Sequence, residues 1–171
     1  MAGTEKAVFK VFIKGSIQAV WHEITKTDEP QEAFFNNRMH TSGFRPGGTI
    51  RMRTPDGKYT SVVGTILEFD PPHRFSHTFR FTNLDDPECK VTYDLKEVPG
   101  GTEFTMTLDE MTAGSKTAKQ MKQGSGMITA TLKRMVENGK PSMGVRAMYV
   151  VFGLLMPLMT PKKSRSEHWP V

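Results

Sequence analysis

The chain is poor in the residues that build covalent or metal frameworks. Cys89 is the only cysteine in 171 residues, so no internal disulfide forms and no zinc site rests on paired thiols. A lone cysteine suits a reducing compartment. One HxxxH spacing occurs, His73–His77, but it falls in a strand-like alternating stretch where residues four apart stand roughly 13 Å apart, and His22, His40 and His168 add no second pair. GxSxG is absent, and Gly43–Gly48 (GFRPGG) matches no phosphate-loop template. No apolar run reaches the 18 or so residues that a membrane span needs. Basic residues do not interleave with exposed aromatics as in a nucleic-acid module. No repeat or low-complexity stretch is visible. Met1–Lys6 leads into an alternating pattern with no apolar leader core, and the cytoplasm is the expected location.

What remains is the composition of a folded domain. Hydrophobic residues make up 37% and charged residues 24%. A chain of this length buries roughly 70% of its unfolded surface and needs no staples. Acidic residues are scarce at one end. Residues 1–115 carry a net charge of −3 and residues 116–171 a net charge of +8. A basic end favours an acidic partner surface or a solvated helix face.

Residues 6–14 alternate, with Phe9, Val11 and Ile13 on one side, which predicts a half-buried strand. Ser16 is placed to cap a helix whose Ile17, Val20, Trp21 and Ile24 share a face. Pro30 is positioned to open a second short helix over Gln31–Phe35. A run of strands follows: 49–54, 59–69, 73–81, 89–97 and 102–109. They are separated by Pro55-Asp56-Gly57-Lys58, Pro71-Pro72, an Asn83–Pro87 loop and Pro99-Gly100-Gly101. Short turns between consecutive strands imply an antiparallel meander.

A long helix is predicted over 115–137. Ala118, Met121, Ser125, Ile128, Leu132 and Met135 form its apolar stripe. Gly124 and Gly126 interrupt it at roughly 1 kcal/mol each, which suggests close approach of the sheet or room beside it. Asn138-Gly139 stops it. The expected architecture is α+β: a curved antiparallel sheet of about six strands wrapped on a long C-terminal helix, with two short helices after the first strand. Such a sheet and one helix do not always fill the space between them, and a pocket would lie there.

Three stretches resemble the START-like, helix-grip (SRPBCC) superfamily, in its heat-shock protein 90 ATPase activator homologue-like branch. One is Ser16-Ile17-Gln18-Ala19-Val20-Trp21. Another joins Asp56-Gly57-Lys58 and Gly64-Thr65-Ile66 to Asp70-Pro71-Pro72-His73-Arg74-Phe75. The last joins Gly101–Met106 to Met127–Leu132. The likeness covers residues 6–139. It departs from the branch where Phe34-Phe35 and Gly126-Met127 replace expected tryptophans. The resemblance implies a domain over 1–139 with a cavity, and not by itself an activity.

Trp21, Met52, His77, Phe79, Tyr93, Met106 and Met121 are the candidate ligand-binding residues between sheet and helix. The Trp, Phe and Met residues would supply apolar contact, while His77 and Tyr93 would orient a ligand through hydrogen bonds. Each taken singly also suits plain core filling, the commoner use of such residues. A buried His77 needs a partner, whether a ligand, Tyr93 or a water. Asp85-Asp86 and Asp109-Glu110 sit in solvated turns that do not favour catalysis. No catalytic motif, metal site or cofactor is expected.

Three function classes stay open: a non-catalytic carrier of a small hydrophobic or amphipathic molecule, a cyclase- or aromatase-like enzyme, and a co-chaperone-like interaction protein. A carrier predicts few polar groups in one continuous pocket. An enzyme predicts at least two convergent polar residues at one void. A co-chaperone predicts an exposed contact surface.

The segment 140–171 extends beyond this domain. Its apolar run, 147–159, is broken by Gly153 and Pro157 and flanked by Arg146, Lys162, Lys163 and Arg165. Three uses compete: packing over the cavity mouth or a sheet face, a homodimer contact, or a peripheral membrane contact.

Overall fold

The computed structural model describes residues 3–171. Strand β1 (Thr4–Ile13) is followed by helix α1 (Ile17–Thr25), a 3-10 turn (Glu32–Phe34) and strands β2 (Arg38–Thr41), β3 (Thr49–Arg53), β4 (Thr60–Asp70), β5 (Arg74–Phe81), β6 (Cys89–Val98) and β7 (Gly101–Thr112). Helices α2 (Lys116–Asn138) and α3 (Met143–Met159) complete the chain, with two more 3-10 turns behind them. The strands form one antiparallel sheet in the order β1-β7-β6-β5-β4-β3-β2. Register shifts at Glu5/Ala7, Met52/Arg53 and Ile66/Glu68 mark where it bends.

The sheet has seven strands, not six. The additional one, β2, has four residues and pairs only with β3. A run of four with one buried apolar residue, Met39, is too short to show a period of two. The second short helix is also less than expected. It is a single 3-10 turn, closed by Phe35 and Asn36 in the left-handed region. Pro30 does not open it, because Gln31 instead bridges to Asn37 as an isolated β pair.

The cap signals act as their chemistry predicts. The Ser16 hydroxyl accepts from the Ala19 N–H, and the Ser115 hydroxyl accepts from the Ala118 N–H, both at 3.1 Å. Gly139 ends α2 at φ 75°, a conformation that favours glycine. All six residues of the α2 stripe are buried. Helix α2 packs on β1, β7 and the first 3-10 turn, toward one end of the strand order. It runs unbroken through Gly124, where a Cβ would come within 3.1 Å of the Phe35 ring. The close approach is therefore to the 3-10 turn and not to the sheet.

The apolar run 147–159 lies within α3, with Pro157 inside the helix. The Ser142 hydroxyl caps it by accepting from the Val145 N–H at 3.2 Å. Beyond it the chain returns to the sheet. Thr82 Oγ1 donates to Ser164 Oγ at 2.8 Å in a buried contact. Arg51 and Arg53 donate to the carbonyls of Pro170 and Trp169. Helix α3 is thus tethered at both ends, while none of its residues is buried.

Candidate functional site

Because α2 leans toward β1 and β7, the curved sheet and the helix separate on the other side. A cavity of about 520 Å³ lies there. Its floor comes from β2 to β7, its wall from α2 and the 3-10 turn, and part of its mouth is crossed by α3. Met52, His77, Phe79, Tyr93, Met106 and Met121 all line it. Trp21 does not. Its ring sits 5.4 Å from Phe69 and 6.4 Å from Phe75, in a cluster that Phe44 joins by stacking on Phe69 at 4.8 Å. Phe75 is fully buried and stands between this cluster and the cavity residues His77 and Tyr93. A helical face read from sequence places Trp21 toward the sheet, but not at which end of it.

His77 is the polar centre. Its Nδ1 lies 2.7 Å from the Thr78 carbonyl oxygen, which can only accept, so Nδ1 carries the proton. Nε2 is left as the acceptor for the Tyr93 hydroxyl at 3.4 Å. Burial pulls the His77 pKa down to about 4, against the opposing hydrogen bond to Thr78. Burial pushes the Tyr93 phenol up. Both groups are therefore neutral near pH 7. They form a fixed hydrogen-bonding pair with no proton to exchange in that range.

A second polar feature lies beside the 3-10 turn. Gln31 is wholly buried, and its Nε2 donates to the Lys26 carbonyl at 3.2 Å. Its Oε1 has no protein partner. The amide cannot be reversed without facing that carbonyl with an oxygen, so the orphan is an acceptor. Cys89 stands behind the wall, its Sγ 3.4 Å from Met121 Sδ and 3.6 Å from the Phe79 carbonyl oxygen. Burial pushes its thiol up to about 12, which makes it a poor nucleophile. Among the described residues no group of three or more His, Cys, Asp or Glu side chains is placed to hold a metal ion.

Sequence reasoning missed the contributions of Phe34 and Phe35, and for 147–159 it held packing over the cavity mouth as one of three uses without placing any of its residues in the site. The 3-10 turn is too short to show a period. The α3 signal was present: Tyr149, Phe152, Gly153, Met156 and Pro157 repeat at helical spacing, and all line the cavity. The two breakers in the run hid a helix that tolerates both.

A family model described as "Activator of Hsp90 ATPase homolog 1-like protein" matches residues 6–137. No curated protein matches the chain by sequence. Among solved structures, the Aha1 dimer from Colwellia psychrerythraea is similar with a TM-score of 0.65 at 16% identity, covering 80% of this chain and 98% of that one. CalU16 from Micromonospora echinospora gives a TM-score of 0.60 at 16% identity, over 93% and 96%. DynU16, from the dynemicin biosynthetic locus, gives 0.64 at 22% identity over 80% of this chain, which spans only 48% of DynU16. At these identities the likeness is one of fold.

Proposed function

We propose, from the premise that this chain belongs to the Activator of Hsp90 ATPase homolog 1-like family and has the helix-grip fold, that it holds a small apolar or amphipathic molecule in the cavity between sheet and α2 without transforming it. The cavity itself carries this reading. About 520 Å³ falls within the range of small-molecule sites, roughly 300–1,000 Å³. Met, Phe, Ile and Val supply 15 of its 31 lining residues, and although polar side chains such as Asn37, Asp56, His77 and Gln120 stand among the rest, most of its accessible surface is apolar. Methionines at positions 39, 52, 106, 121 and 156 give that wall unbranched side chains that adapt to a guest's shape.

One observation favours a second reading. His77 and Tyr93 converge on the same void, as a cyclase-like enzyme of this superfamily would require. Their shifted titration argues against acid–base work near neutral pH and leaves them an orienting role. Native mass spectrometry of freshly purified protein tests the first reading. A small molecule retained by the native chain and released on unfolding is the expected result. The neutral dye N-phenyl-1-naphthylamine should also bind, and Ile128→Trp, which places an indole in the void, should weaken it. A native chain that carries no guest and takes up no dye refutes the proposal. Conversion of a captured guest, abolished in His77→Phe, would establish the enzyme instead.

A further inference from the structure

Helix α3 is apolar on both sides, and only one side has something to face. Tyr149, Phe152, Gly153, Met156 and Pro157 look into the cavity. Met143, Ala147, Val150, Val151, Leu154, Leu155 and Leu158 repeat at three and four on the opposite side, and all are exposed. Eight of the twelve large hydrophobic side chains exposed among the described residues lie on this one helix, with Leu158 83% and Leu154 72% accessible. A helix that is apolar all round belongs in an apolar medium. This one spans 17 residues, or roughly 25 Å. Among the described residues no single helix is long and apolar enough to cross a membrane.

The charge around α3 identifies its partner. Residues 138–166 contain Lys140, Arg146, Lys162, Lys163 and Arg165, and no acidic residue. From outside the segment, Asp85 reaches Lys163 at 3.1 Å across a solvent-exposed pair. A symmetric pairing of α3 with a second copy would set basic ends against basic ends with no acid to answer them. An anionic lipid surface answers both features, because acyl chains receive the leucine stripe and headgroups receive the basic flanks.

We propose that the outer face of α3 docks this domain onto an anionic membrane surface, with the helix lying in the interface over the cavity mouth. The body is joined to α3 by its two tethered ends and by the Tyr149 hydroxyl, which donates to the Glu32 carbonyl. A guest leaving the cavity past α3 then meets the bilayer before it meets water. That last step rests on the cavity reading; the docking does not.

Flotation with vesicles of phosphatidylcholine alone and of phosphatidylcholine mixed with phosphatidylglycerol tests the docking. The full chain should float with the mixed vesicles, and added salt should weaken its binding. Leu154→Glu combined with Leu158→Glu should abolish flotation and leave the unfolding midpoint unchanged, since both side chains point away from the cavity. Arg146→Gln combined with Lys162→Gln should lower the partition coefficient roughly thirty-fold. A chain that stays with the unbound fraction at low salt overturns the docking. So does a double-Glu variant that floats like the parent. So does a solution dimer that the double-Glu variant dissociates while neither form floats, which would assign the face to a second copy. Because flotation needs no guest, a chain that floats but takes up no dye removes the guest and leaves the docking standing.

Discussion

Lowering the pH from 7 to 5 should cost this protein about 2 kcal/mol of stability through His77 alone. The imidazole titrates near its ordinary value of 6.5 in the unfolded chain and near 4 in the native one, because burial disfavours the charged ring. As the pH falls through 6.5, the unfolded chain takes up a proton and the native chain does not. Stability that is fully present above pH 6.5 is therefore lost progressively toward pH 4. The full loss, below both values, is about 3 kcal/mol. Other groups also titrate in this range, so a difference of differences is needed. Urea unfolding of the parent and of His77→Phe at pH 7 and pH 5 supplies it. At an m-value of roughly 2 kcal/mol/M, the parent's midpoint should fall by about 1 M more than the variant's. Equal falls in the two proteins would refute the argument. The native His77 would then be hydrated or paired well enough to carry its charge.

Three further outcomes follow from the same geometry. Ile128→Trp should change stability by less than about 1 kcal/mol, because the added volume enters a void; in a filled core, overpacking costs roughly 1–3 kcal/mol, and thermal unfolding separates the two. Cys89, 2% exposed, should resist a disulfide reagent at pH 8 in the native protein and react once the chain is unfolded in urea, as followed by thiolate release. Ser164→Ala removes the buried partner of Thr82 and should cost about 1 kcal/mol. Hydrogen exchange should rise in α3 and the tail while the sheet amides keep their protection.

The legibility of the fold varied with the length of each element. The α2 stripe from Ala118 to Met135 and the alternations of β5 to β7 could be read from residue spacing, since each runs for two or more periods. The four residues of β2 and the single turn at Glu32–Phe34 could not, and the structure adds the one and shortens the other. The candidate residues divided on the same principle. Those on longer strands or on α2 were placed on the face that borders the cavity, His77, Phe79, Tyr93, Met106 and Met121, and so was Met52 on the five-residue β3. Trp21 was placed on the correct face of α1, but spacing could not say which end of the sheet that face meets, and Phe69 and Phe75 enclose it away from the cavity.

Periodicity is a local property, and it determined the strands, the long helix, their capping residues and which side of each is apolar. It cannot report the distance between two apolar faces. That distance depends on how far the bulges bend the sheet and on which end of it α2 covers. Only the tertiary structure decided that the helix leans toward β1 and β7, that the opposite side stays open, and that α3 crosses the opening with its second apolar face turned outward. The same side chains packed against a flatter sheet would make a solid core.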